Sequence, residues 1–119
     1  MKSILFSLVI LGTALTAHAD SAQQDADPSA GEKVYNGTCI ACHGEDGEGA
    51  IPGTPNLTKS NSVLESESDK VLLAHILDGF QASGSPLAMP PKGGDDSLTI
   101  ADIKNVLAYL HERFHYKKF

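Results

Sequence analysis

The chain has 119 residues, which allows one small domain, and only 6% of them are aromatic, with no tryptophan. Fifteen acidic residues against nine basic ones give a formal net charge of −6. This balance excludes nucleic-acid binding through a broad basic face, and the few aromatic residues predict a thin apolar core that a bound cofactor would enlarge.

Residues 1–19 have the pattern of a secretory signal peptide. Lys2 is followed by a mostly apolar run over 4–17, and Ala17-His18-Ala19 forms an A-x-A-like cleavage site. The apolar run is shorter than the roughly 20 residues that a membrane span needs. We therefore expect export to the periplasm, no stable membrane insertion after cleavage, and a mature net charge of about −7. An uncleaved N-terminal anchor is the alternative.

The exported part is predicted to be all-α. A polar stretch over 20–28 is typical of a disordered leader, and 29–119 is the predicted folded domain. Ser29 and Glu32 would cap a first helix over 30–42, Ser68 a second over 69–78, and Thr99 with Asp102 a third over 100–113. The segments between them, 44–61 and 81–97, are rich in glycine and proline, and we expect long ordered loops there.

The first predicted helix ends in Cys39-Ile40-Ala41-Cys42-His43. This is the C-x-x-C-H pattern of covalent haem attachment, in which two thiols bond to one haem and the next histidine ligates its iron. A thiol redox pair would come with a βαβ pattern, and a structural zinc site would need four ligands. The sequence offers neither, although both stay open as alternatives.

Met89 is the only methionine that remains once Met1 leaves with the signal peptide. It lies in a loop stiffened by Pro86, Pro90 and Pro91, which suits a weak thioether ligand held in place by the fold. His43 and Met89 together would fill both axial positions of a haem iron. His75 is the alternative second ligand, although packing beside the cofactor is its simpler role.

These residues resemble the class I c-type cytochromes. Gly31 and Tyr35 precede Cys39 by eight and four residues, Pro55 follows His43 by twelve, and Tyr109 lies in the last predicted helix, as in that family. Segments 31–43 and 88–94 are most similar to the small bacterial cytochrome c-five group. The chain departs from that group in lacking an extra cysteine pair after the methionine loop.

The resemblance implies a class I cytochrome c fold, with N- and C-terminal helices crossing over a loop-wrapped covalent haem. It also implies that Tyr35 and Tyr109 pack at the helix crossing and that the carbonyl of Pro55 accepts a hydrogen bond from His43.

The function that follows is one-electron transfer by one haem c, without enzymatic activity. The expected partners are a membrane complex, a dehydrogenase, or a terminal oxidase or reductase, with a basic docking face that matches the acidic charge. A subunit of a periplasmic dehydrogenase complex and a peroxidase-like or gas-binding haem protein are the alternatives.

Overall fold

The computed structural model describes residues 25–114, in which helices surround one apolar cavity. Within this part of the chain there is no β-strand, only an isolated antiparallel bridge between Phe80 and Met89. The predicted signal peptide lies outside the described residues, as does most of the predicted leader. The helical segments are α1 (Pro28–Val34), a π-helical turn (Tyr35–Cys39), α2 (Ile40–His43), α3 (Val63–Ser66), α4 (Asp69–Asp78), a 3₁₀ turn (Pro91–Gly94) and α5 (Ile100–Arg113).

The first helix begins earlier than the sequence predicted. Asp27 is its N-cap, and the Asp27 carboxylate accepts a hydrogen bond from the backbone N–H of Ser29 at 2.8 Å. Pro28 occupies the first helical position, where a missing N–H costs nothing because that group would have no partner inside the helix. Ser29 as the cap was therefore wrong, since an aspartate one residue before the proline serves this end better.

The caps of the two later helices are confirmed. The Ser68 side chain accepts a hydrogen bond from the backbone of Val71 at the start of α4. Thr99 and Asp102 form the reciprocal capping box at the start of α5. Both helices end where they were predicted to end, α4 at Asp78 before Gly79 and α5 at Arg113.

Helices α1 and α5 cross in close contact at Gly31. A Cβ atom built on Gly31 would lie 2.0 Å from the carbonyl oxygen of Asn105 and 2.9 Å from Cβ of Tyr109, so the crossing requires glycine. The rings of Tyr35 and Tyr109 lie beside this contact with centroids 5.4 Å apart, as the sequence predicted. The backbone N–H of Asp27 also donates to Oδ1 of Asn105 at 2.8 Å. The crossing holds the helix that carries the C-x-x-C-H motif against α5.

One cluster of buried residues joins the crossing to the rest of the domain. It combines residues from the first helix, the loop after it, α3, α4 and α5: Tyr35, Leu57, Leu64, Leu72, Val106, Leu107 and Leu110. The structure also contains two short helical turns that the sequence did not predict: α3 lies between the first long loop and α4, and the 3₁₀ turn lies within the second long loop. The 3₁₀ turn includes Lys92 and Gly93 at positive φ, a conformation that hydrophobic periodicity does not signal.

Candidate functional site

A cavity of about 270 Å³ lies at the centre of the domain. Cys39, Cys42 and His43 line one part of it, and Met89 lines it as well, from the second long loop. Apolar residues of α3, α4 and α5 complete the lining, among them Leu64, Ile76, Ile103, Val106 and Leu110. Four residues that the sequence assigned to one site are thus brought to a single apolar cavity, although Cys39 and Met89 are 50 positions apart in the chain.

The C-x-x-C-H motif is held at the end of the first helix by backbone and side-chain hydrogen bonds. The helix stops at Gly44, whose φ of +79° turns the chain away, and the backbone N–H of Gly44 still donates to the Ile40 carbonyl at 2.8 Å. The hydroxyl of Tyr35, a residue only 1% exposed, donates to the Gly44 carbonyl at 2.6 Å. Tyr35 therefore fixes the backbone directly after His43, in addition to packing on Tyr109.

The loop that follows folds back onto the same motif. The N–H groups of Gly49 and Ala50 donate to the carbonyls of His43 and Cys42 at 2.9 and 2.8 Å. These bonds occupy helix-terminal carbonyls that have no partner within the helix. The motif is therefore rigid at its backbone while its side chains line the cavity.

The thiol chemistry of the site does not match a redox-active cysteine pair. Burial, with a smaller contribution from the neighbouring Cys42, raises the pKa of the Cys39 thiol to about 11. Reactive thiols in C-x-x-C redox motifs instead have lowered pKa values, which maintain the nucleophilic thiolate. The thiol redox alternative is therefore disfavoured, whereas addition to a cofactor during assembly does not need a low pKa in the folded protein.

The imidazole of His43 is suited to ligating a metal within a cofactor. Burial lowers the pKa of His43, which favours the neutral ring that binds metal ions. Its Nδ1 atom is buried and has no hydrogen-bond partner within residues 25–114. Buried polar atoms almost always have a hydrogen-bond partner, so an unpartnered Nδ1 is unusual. In a metal-bound histidine, the nitrogen that does not bind the metal also needs such a partner.

The expected hydrogen bond from His43 to the Pro55 carbonyl is absent from the structure, although Pro55 lines the same cavity. Sequence spacing brought the two residues to one site but does not determine the loop geometry that such a bond requires. Pro55 is therefore retained as a residue of the cavity wall.

Met89 is placed by contacts that the sequence did not reveal. Its backbone N–H donates to the Phe80 carbonyl at 2.7 Å, and its carbonyl accepts from the Phe80 N–H at 3.0 Å. Gly79, with φ of +84°, allows this approach, because a Cβ there would lie 2.9 Å from the Met89 carbonyl oxygen. The sequence predicted that Gly79 ends α4. Its close contact with the Met89 carbonyl could not be predicted, because it depends on where the methionine loop packs.

A side-chain hydrogen bond joins the two long loops. The hydroxyl of Ser85 lies 2.9 Å from the Gly53 carbonyl oxygen and 3.0 Å from the Leu87 carbonyl oxygen. Ile51 and Leu87, which both line the cavity, are 42% and 38% exposed. The cavity therefore reaches the surface between these loops, beneath an apolar rim formed by Ile51 and Leu87.

The residues present fit a covalently bound haem better than an isolated metal ion. Two thiols, an imidazole and a thioether line one apolar cavity, which is the donor set of a thioether-linked haem with two axial ligands. Among residues 25–114, no group of three or more His, Cys, Asp or Glu side chains could hold a metal ion, which disfavours zinc.

In the same part of the chain no helix is long and apolar enough to cross a bilayer.

The chain is similar to several known proteins. The family model described as "Cytochrome C oxidase, cbb3-type, subunit III" matches residues 26–110. Cytochrome c-554(548) of Halomonas halodenitrificans is 37% identical over 83 residues, which cover 70% of this chain and 92% of that protein. Cytochrome c6 of Picosynechococcus sp. is 30% identical over 129 residues, covering 100% of both chains. The solved structure of cytochrome c6 from the diatom Phaeodactylum tricornutum has a TM-score of 0.56 at 29% identity, covering 76% of this chain and 97% of that one.

Proposed function

Because this chain belongs to the cytochrome c family and is homologous to the small class I cytochromes c, we propose that it is an exported one-electron carrier with His43 and Met89 as the axial ligands of one haem c. The observation that carries this proposal is the placement of Cys39, Cys42, His43 and Met89 on the lining of one apolar cavity. The predicted class I fold is confirmed by the helical architecture and by the structural match.

Each side chain has a distinct role in this proposal. Cys39 and Cys42 would each add their S–H across one vinyl group, so that sulfur bonds to one carbon and the hydrogen goes to the other. His43 would supply the imidazole ligand and Met89 the thioether. Tyr35 would hold the backbone after His43, and Pro55 would form part of the cavity wall.

A bound haem would supply one-electron exchange between Fe(III) and Fe(II), and the protein would control access and partner choice. With His43 and Met89 both bound to the iron, no position would stay open for substrate, which would favour a carrier over a peroxidase-like or gas-binding protein. The apolar walls would limit the contact of water with the haem, and the exposed rim of Ile51 and Leu87 would be where another protein approaches.

The charge near that rim supports a partner with a basic face. Glu45, Asp46 and Glu48 are all exposed in the loop that leads to Ile51. Exposed charges of one sign speed the encounter with an oppositely charged partner and lose this effect as salt screens them. A membrane complex, a dehydrogenase, or a terminal oxidase or reductase are the partner classes that fit an exported carrier.

Two finer assignments belong to the same proposal. Segments 31–43 and 88–94 support placement near the cytochrome c-five group. The signal-peptide pattern over 1–19 supports release into the periplasm of a chain beginning at Asp20, and the mass of the protein purified from a periplasmic extract tests this.

Absorption spectroscopy and a redox titration test the proposed ligation. Wild-type protein should keep its haem after acid–acetone extraction and should not bind carbon monoxide rapidly when reduced. Met89→Ala should become high-spin and bind carbon monoxide. Its reduction potential should fall, because a thioether ligand favours Fe(II). Leu87→Ala, which shortens another cavity-lining side chain of the same loop, is the control and should keep the wild-type spectrum. An unchanged spectrum in Met89→Ala would reject Met89 as the ligand.

A further inference from the structure

His75 lines the same cavity as Met89 but has no part in the proposed electron transfer. It lies on α4 and is half-buried, as the sequence predicted for a histidine that packs beside the cofactor. Its imidazole stacks on the ring of Phe80, with centroids 3.9 Å apart and an interplanar angle of 22°. This contact joins a helix to a residue that lies two positions beyond the helix end.

Phe80 in turn holds the backbone of Met89. The two residues form two backbone hydrogen bonds with each other, at 2.7 and 3.0 Å. These bonds make the isolated antiparallel bridge found within residues 25–114. Gly79 lies against the Met89 carbonyl and Pro91, so the methionine loop packs on the chain that leaves α4. Any movement of Phe80 therefore moves the backbone that carries the thioether.

The helix that carries His75 is itself firmly anchored. Leu72, one turn earlier, is 3% exposed and belongs to the buried cluster. Asp69 at the start of the helix lies 2.7 Å from Nε2 of His111 on α5. Beyond Asp78 the chain is no longer helical, so Phe80 lacks the helical backbone bonds that hold His75. The ring stack is the side-chain contact that extends the rigidity of α4 to the bridge.

We propose that His75 is a positioning residue for Met89, acting through the Phe80 ring. The inference rests on the proposed function, because Met89 is taken as the iron ligand. Loss of the stack frees Phe80 and the bridged Met89 backbone, so the sulfur leaves the iron more often and an external ligand competes more effectively. Aromatic pairs contribute about 0.5–1.5 kcal/mol, which corresponds to a change of about 2- to 10-fold in that competition.

The test compares imidazole binding to the oxidised holoproteins of wild type, His75→Ala and His75→Phe. We expect His75→Ala to bind imidazole about 2- to 10-fold more tightly and to show a weaker long-wavelength absorption band from the sulfur–iron bond. His75→Phe restores an aromatic ring without a nitrogen ligand, and it should stay within about 2-fold of wild type. Leu73→Ala is the control for general destabilisation, since Leu73 packs against the core without lining the cavity. It should lower the unfolding temperature and leave imidazole affinity unchanged.

Three outcomes would overturn the inference. In the first, His75→Ala binds imidazole like wild type. In the second, His75→Phe behaves like His75→Ala, so that the ring stack is not the cause. In the third, His75→Ala loses the six-coordinate spectrum entirely, which makes His75 an iron ligand. Failure of the proposed function gives a different result from failure of this inference. If Met89 is not the iron ligand, wild type and Met89→Ala share one spectrum, and this is seen before any His75 variant is compared.

Discussion

Replacing Gly31 by alanine tests the claim that the α1–α5 crossing determines how the C-x-x-C-H helix is held. The added methyl group would lie 2.0 Å from the Asn105 carbonyl oxygen and 2.4 Å from its carbon. Ordinary C···O contacts begin at about 3.3 Å, so the helices must separate by about 1 Å. No side-chain rotation relieves this contact, because the opposing atoms belong to the backbone.

The expected cost follows from the contacts that this separation weakens. Overpacking costs about 1–3 kcal/mol, and a backbone clash belongs at the upper end of that range. The pair of Tyr35 and Tyr109 contributes about 0.5–1.5 kcal/mol, part of which is lost as the helices move apart. Alanine is favoured over glycine inside a helix by about 1 kcal/mol, which offsets some of this loss. We expect Gly31→Ala to lower the free energy of unfolding by about 2–3 kcal/mol and the unfolding temperature by about 10–20 °C.

The assay is thermal unfolding of the holoprotein, followed by far-ultraviolet circular dichroism. Gly37→Ala is the matched control, because Gly37 lies in the same continuous helix and nothing lies within 4 Å of its built Cβ. That variant should gain about 0.5–1 kcal/mol from helix propensity alone. Equal stability of the two variants, or a Gly31→Ala protein as stable as wild type, would refute the claim that the crossing requires glycine.

Three other substitutions test separate parts of the structure. Thr99→Ala should cost about 1 kcal/mol in a denaturant titration. Hydrogen bonds from Thr99 hold the pKa of Asp102 below its usual value. The stabilisation they give is therefore present above the pKa of the unfolded state and is lost as the pH falls through the pKa of the folded state. NMR titration should show a higher Asp102 pKa in the variant, and an unchanged pKa would contradict this cause. Tyr35→Phe should cost about 1–3 kcal/mol of unfolding free energy, because the Gly44 carbonyl loses its donor; a cost equal to zero would mean that water replaces the hydroxyl. Leu87→Lys should slow electron exchange with a partner protein in stopped-flow measurements, because it removes an apolar contact at the rim and its positive charge opposes a basic partner face, and an unaltered rate would place docking elsewhere.

Much of the fold was predictable because its determinants are local. The capping box of Thr99 and Asp102 and the cap at Ser68 depend on residues within one helical turn, and the structure confirms both. The start of the first helix was misplaced by a competing local signal, Asp27 before Pro28, which outweighs Ser29. The 3₁₀ turn was missed because positive φ at Lys92 reflects a local backbone conformation that hydrophobic periodicity does not encode.

The candidate site divides in the same way. The identity of its donors could be predicted, since C-x-x-C-H is a local motif and Met89 is the only methionine outside the signal-peptide pattern. Their convergence on one cavity, and the bridge from Phe80 to Met89, depend on two loops meeting in space. The Pro55 hydrogen bond shows the limit of spacing, because the predicted neighbours share the cavity without forming the bond.

The sequence by itself determined which donor groups the candidate site can have, two thiols, an imidazole and a thioether, and the acidic net charge of the chain. It could do so because donor type and local spacing are properties of the chain and do not depend on packing. Only the tertiary structure decided how those donors are held, through the glycine contact at the helix crossing, the Tyr35 bond to Gly44 and the bridge at Met89. Each of these joins residues whose relative position depends on how the chain packs, so none could be read from the order of residues alone.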